Sequence, residues 1–143
     1  MKSFDDLVAA LKKSRKECPW AKEVKVEEHL PRLKDEIREL EEAMASGDKQ
    51  HVQEELADVI WDALFIAILE EEHGNFTINE MFARAVEKLK RRKPWVFGDE
   101  KVKDAAEAVR RWNEIKAQEK KMEKTQKTEQ SVAPQATKHP NAH

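Results

Sequence analysis

Tyrosine is absent from this chain, and cysteine occurs once, at Cys18. One cysteine excludes an internal disulfide and fits a reducing compartment. Only three glycines and five prolines punctuate the 143 residues, too few for a fold built on many turns. No apolar run approaches the roughly 20 residues that span a bilayer. The most apolar stretch, residues 56–69, carries Asp58 and Asp62. An excess of base is lacking too: 39% of residues are charged, yet the net charge is −2, so a surface for a nucleic acid polymer is not expected. The first residues, MKSFDDLVAALKK, lack the continuous apolar segment of a secretion signal. A single cytoplasmic domain with no membrane partner is the expectation.

What the chain does have is helical periodicity from end to end, with no β-alternation and no internal repeat. Ser3 and Asp6 have capping-box spacing, and Phe4, Leu7, Val8 and Leu11 then form one stripe to about Lys16. Cys18-Pro19-Trp20 interrupts the pattern. A second helix is expected to start near Pro31, with Leu30, Leu33, Ile37, Leu40 and Met44 on its apolar face. Ser46-Gly47-Asp48 closes it and offers Asp48 as the next cap. The core helix follows and stops near His73-Gly74. Thr77 and Glu80 cap another helix, to about Lys93, with Ile78, Phe82, Val86 and Leu89 facing inward. Residues 94–98 read as a loop, and 102–119 as a last helix bearing Val109, Trp112 and Ile115. The expected fold is all-α, a bundle of four to five helices over residues 1–120. Residues 121–143, rich in Lys, Gln, Thr, Ser and Pro, read as a disordered tail.

The core helix organises the rest. It is apolar on more than one face, which places it in an interior. A single chain is not expected to cover Val59, Trp61, Phe65 and Ile68 together, so completion by a second copy, most simply a homodimer, is expected. The same helix carries acid inward. Glu55 and Asp58 are three apart on one face, as are Glu36 and Glu39 on the preceding helix. The short connection at Gly47 makes these helices antiparallel neighbours and sets the two pairs at similar height. Converging carboxylates repel unless a cation lies among them. Oxygen ligands without Cys or His indicate Mg²⁺, with Mn²⁺ as a substitute. Taken alone, Glu-x-x-Glu is common in an acidic chain and usually marks a solvated face. Asp62 is either an outer group of such a site or its polar edge, and Glu54 either a helper or a surface residue.

Lys88-Leu89-Lys90-Arg91-Arg92-Lys93 is a basic run that suits a polyphosphate and equally suits a helix C-terminus. Trp112 and Lys116, four apart, offer a stacking surface and a cation, or simply a core residue and a solvated one. Cys18 and His51 carry no assignment from sequence.

In order along the chain, several short segments resemble the MazG-type nucleoside triphosphate pyrophosphohydrolases of the all-α NTP pyrophosphatase superfamily. They are Cys18-Pro19-Trp20; Asp35-Glu36-x-x-Glu39; Glu54-Glu55-Leu56-Ala57-Asp58; Lys88-Leu89-Lys90-Arg91-Arg92-Lys93-Pro94-Trp95-Val96-Phe97; and Trp112-Asn113-Glu114-Ile115-Lys116. The resemblance covers about Phe4 to Lys120. It implies hydrolysis of (deoxy)nucleoside triphosphates between the α- and β-phosphates, giving a monophosphate and pyrophosphate, of housecleaning type. It also implies dimers or dimers of dimers. Glu36, Glu39, Glu55 and Asp58 would hold Mg²⁺, which would acidify the attacking water. Glu54 or Glu39 would take the proton, with Glu54 preferred. Lys88, Arg91 and Arg92 would clamp the phosphates, and Trp112, with Lys116, would contact the nucleotide. The chain departs from the family pattern after Cys18-Pro19-Trp20, where Ala21-Lys22-Glu23-Val24-Lys25 stands, and at Lys93 and Trp95, where the family has histidines. A catalytically silent nucleotide-binding or protein-interaction scaffold of the same fold is the alternative. A di-iron bundle is disfavoured because the core helices lack Glu-x-x-His pairs.

Overall fold

The computed structural model describes residues 2–132 and contains, among them, only helices and their connections. Seven follow in order: α1 (Lys2–Glu17), α2 (Pro19–Glu23), α3 (Val26–Ser46), α4 (Lys49–Glu72), α5 (Ile78–Arg92), α6 (Pro94–Phe97) and α7 (Ala105–Val132). Five are long; α2 and α6 are single turns built on Pro19 and Pro94, each in a first helical turn where a missing N–H costs nothing. The all-α expectation holds, and the expected loop at 94–98 is mostly a helical turn. The chain divides into two compact units, residues 1–83 and residues from 84 onward.

In the first unit, α3 and α4 form the most extensively packed pair, and α1 packs on α2 and α4. Gly47 makes the hairpin turn at φ +73°, a left-handed conformation that a side chain would strain. Asp48 then caps α4 by accepting from the N–H groups of Gln50 (2.9 Å) and His51 (3.2 Å). The core gathers Leu11, Val24, Leu64, Phe65, Ile68, Leu69 and Ile78, with Phe4, Leu7 and Trp61 against it. Burying several such side chains contributes about 1.5–3 kcal/mol each. Polar ties close the edges. Arg15 pairs with Glu72 and donates to the carbonyls of Ala21 and Val24, fixing α2 beneath α1. Glu71 takes Lys12 and the backbone N–H of Ile78, which sets the start of α5. The Thr77–Glu80 capping box is present.

Two boundaries differ from the sequence reading within this unit. α1 begins at Lys2, so Ser3 lies inside it rather than at its cap. α3 begins at Val26, and Pro31 lies inside it, past the first turn. The Glu28 carboxylate accepts from the Lys25 N–H (3.2 Å), so this upstream cap nucleates the helix and Pro31 costs it one backbone hydrogen bond.

Burial also departs from expectation. Phe65 and Ile68 are covered within the chain itself. Exposed apolar residues on the hairpin itself are Leu30, Ile37 and Met44 on α3 and Leu56 and Ile60 on α4, all at least 43% exposed. Of the expected inward stripe on α5, only Ile78 is buried; Phe82, Val86 and Leu89 are exposed.

In the second unit, Ile115 is buried and Val109 is exposed. α7 continues to Val132, beyond the expected end at residue 119. Its Lys, Gln, Glu and Met residues are good helix formers, and their polarity does not prevent a helix from propagating once started. The remainder of the expected tail, residues 133–143, lies outside the described residues.

Candidate metal centre and basic cluster

Glu36 and Glu39 project from the middle of α3, and Glu55 from the second turn of α4. One carboxylate oxygen of each lies within 4.8 Å of the others. Glu55 is buried, Glu36 half-buried and Glu39 exposed, so the group opens outward on one side. The hairpin geometry brings this about: helical spacing puts Glu36 and Glu39 on one face, and the tight turn at Gly47 returns α4 antiparallel against it.

The electrostatics match the geometry. Burial raises the Glu36 carboxyl above its ordinary value, and the charges of Glu39, Asp62, Asp58 and Glu55 push it the same way. Asp58 lies outside the convergent oxygens, yet is near enough for its charge to act on Glu36. Glu55 Oε1 lies 3.1 Å from His51 Nε2, while Glu55 Oε2 is buried without a partner. Such an oxygen is costly to bury unless something positive meets it. Oxygens around Mg²⁺ at about 2.1 Å stand roughly 3–4 Å apart, so modest side-chain rotation would suit this group to a hard divalent cation. Glu54 is exposed and lies with Gln50, Gln53 and Ala57 along another face of α4; it is not among the convergent oxygens.

In the second unit, the basic run ends α5 and meets α7. Glu119 accepts from Arg91 Nε at 2.7 Å and from Arg92 Nη2 at 2.7 Å. The Arg92 hydrogen bond, before that of Arg91, holds the Glu119 carboxyl below the usual carboxylate range. The Arg92 guanidinium and Lys93 ammonium lie 5.5 and 5.8 Å from the Trp112 ring centroid. Trp112 lines an apolar hollow of about 510 Å³ with Lys93, Trp95, Ala105, Ala108 and Val109. Lys88 and Lys116 are exposed. The structure therefore joins Arg91 and Arg92 through one carboxylate and sets Arg92 near the Trp112 ring. It adds Glu119, which no motif singled out, although a glutamate on the next helix is the ordinary partner for paired arginines.

Sequence reasoning also missed His29. It is fully buried, with its Nε2 3.0 Å from Oδ1 of the equally buried Asp62. A lone histidine inside a charged-looking segment gives no signal of burial; only its seven-residue spacing from Glu36 could have hinted at the shared face.

An all-helical hairpin whose facing helices offer convergent glutamates defines a class of helical carboxylate-centred proteins. Within that class the match is specific. Residues 25–97 fit the MazG nucleotide pyrophosphohydrolase domain, and the chain belongs to this family. It is similar to the nucleoside triphosphate pyrophosphohydrolase of Escherichia coli K12, 32% identical over 123 residues, covering 84% of this chain and 47% of that protein. The MazG nucleoside triphosphate pyrophosphohydrolase/pyrophosphatase of Thermotoga maritima is 36% identical over 124 residues, 85% of this chain and 47% of that one. The chain thus spans about half the length of these curated relatives. A crystal structure of a mazG-related protein from Thermotoga maritima superposes with a TM-score of 0.71 at 33% identity, covering 79% of this chain and 98% of that one.

Proposed function

We propose that this chain is a Mg²⁺-dependent nucleoside triphosphate pyrophosphohydrolase, cleaving between the α- and β-phosphates. The observation that carries the reading is the convergence of Glu36, Glu39 and Glu55, with a buried, unpartnered Glu55 oxygen, in a chain of the MazG family. Glu36, Glu39, Glu55 and Asp58 would hold the cation. When bound, Mg²⁺ supplies Lewis-acid polarisation of phosphate oxygens and acidifies water. The carboxylates orient the attacking water and accept its proton as its oxygen bonds to the α-phosphorus. The bond from that phosphorus to the bridging oxygen then breaks, and pyrophosphate departs. Glu39, exposed within the convergent group, suits the proton-accepting role better than Glu54, which faces elsewhere on α4. Lys88, Arg91, Arg92 and Lys116 are assigned to the polyphosphate and Trp112 to the base.

We also propose a homodimer. A face formed by Leu30, Ile37 and Met44 on α3 with Leu56 and Ile60 on α4 is unusual for a monomer, and a second copy of the same face would cover it. Release of pyrophosphate, measured nucleotide by nucleotide with Mg²⁺ and with EDTA, tests the enzymatic reading. A chain that binds nucleotide and releases none is the silent scaffold.

A further inference from the structure

Among the described residues of the first unit, the His29–Asp62 pair is a fully buried polar contact that the proposed chemistry leaves unused. His29 sits on α3 with its ring 4.7 Å from that of Phe65 and 6.4 Å from that of Trp20. Asp62 sits on α4, facing it, and both side chains are wholly removed from solvent. Because a carboxylate only accepts, the proton in the 3.0 Å contact belongs to His29 Nε2. His29 Nδ1 and Asp62 Oδ2 have no partner. A pair like this is poor value for stability alone: apolar residues of similar volume generally pack as well or better. The surrounding core of Leu64, Phe65 and Ile68 shows that such residues fit here.

Its location gives the pair a purpose. His29 is two helical turns from Glu36 on the same face of α3. Asp62 is one turn from Asp58 and two from Glu55 on the same face of α4. We propose that His29 and Asp62 are positioning residues of the carboxylate centre: their buried hydrogen bond pins α3 against α4 in the register that brings Glu36 to Glu55, and holds Asp62 as a fixed negative charge near them. This rests on the metal reading above. Groups that orient metal ligands without touching the metal typically change affinity by about 10–100-fold when removed.

The test is Mn²⁺ binding to the full chain, followed by the free-ion electron paramagnetic resonance signal, beside thermal melts in EDTA. Asp62→Asn keeps the shape and loses the charge; it should weaken Mn²⁺ binding about tenfold or more. His29→Gln keeps an N–H donor and should bind more tightly than His29→Leu. Ile68→Ala is the control: a buried apolar cavity on α4 that lowers the melting temperature without moving the Mn²⁺ affinity of the folded protein. Should Asp62→Asn fail to fold, the apolar pair His29→Leu/Asp62→Ala replaces it and should fold while binding Mn²⁺ weakly. Wild-type affinity in whichever of these folds overturns the positioning role, since a merely structural pair moves only the melts. Absence of Mn²⁺ binding by the wild-type chain would instead overturn the metal reading, and the inference with it.

Discussion

Glu36 on α3 and Glu55 on α4 present carboxylate oxygens within 4.8 Å of one another, across a hairpin whose turn is set by Gly47. Like charges at that distance store repulsion in the metal-free fold. Glu36→Gln removes one of them at nearly constant shape. The variant should melt at the same temperature as wild type in EDTA or higher, and should lose most of the stabilisation that Mg²⁺ gives the wild type. That stabilisation is RT ln(1 + [Mg²⁺]/Kd), about 2.7 kcal/mol at one hundred times Kd. Melts with Mg²⁺ and with EDTA read both quantities. A large fall in EDTA would identify Glu36 as a structural ion-pair partner instead.

The raised Glu36 carboxyl fixes the sign of a pH effect. Its protonated form is favoured by folding, so its contribution to metal-free stability is complete below about pH 4.5 and is lost as pH rises through its higher folded value. Glu71, held down by Lys12, and Glu119, held down by Arg92, act oppositely: their contributions are present above the ordinary value and disappear as pH falls through their lowered ones. Protons and Mg²⁺ also compete for Glu36. The Mg²⁺-induced shift in melting temperature should therefore shrink on acidification at a higher pH than an ordinary carboxylate would give. A melt series from pH 8 to about pH 4 follows it; a shift that persists unchanged to the ordinary carboxylate range removes Glu36 from the metal site.

Arg91 and Arg92 share Glu119 but not its surroundings. Arg92 is largely buried, whereas Arg91 is mostly exposed. Arg91→Ala should change unfolding by less than about 1 kcal/mol. Arg92→Ala leaves a part-buried carboxylate short of its hydrogen bonds and should cost about 1.5–3 kcal/mol. Loss of nucleotide turnover in Arg91→Ala with an unchanged melt assigns that side chain to phosphate binding. Full turnover in Arg91→Ala would leave the clamp to other cations.

These residues show what the sequence carries and what it does not. Glu36, Glu39 and Glu55 were legible because helical spacing and a short Gly-containing turn constrain where side chains on paired helices can meet. The caps at Asp48 and Thr77 were legible for the same local reason. His29 and Glu119 were not, because their partners are long-range in sequence and a charged residue's burial depends on tertiary packing. Pro31 misplaced the start of α3 because the capping contact between Lys25 and Glu28 outweighs one missing backbone hydrogen bond. Phe65 and Ile68, expected to need a partner's cover, are buried in the chain's own core, Phe65 against the His29 ring of α3, while the stripe of Leu30, Ile37 and Met44 stays exposed.

That stripe carries the prediction on assembly. Ile37→Lys with Ile60→Lys places two charges on exposed side chains, so it costs an isolated chain little. In a dimer closed over this face the same changes bury unpaired charge and should give a monomer by light scattering at low micromolar concentration. A wild-type monomer under those conditions contradicts the dimer.

Hydrolysis of the α–β bond of a nucleoside triphosphate is the reaction we propose for the carboxylate centre. Its most direct test is product analysis by ion-exchange chromatography after incubation with a nucleotide panel, for wild type in Mg²⁺, wild type in EDTA, and Glu55→Gln in Mg²⁺. Equimolar nucleoside monophosphate and pyrophosphate are expected in the first reaction and neither in the other two. Diphosphate with orthophosphate, or undiminished turnover by Glu55→Gln, would contradict it.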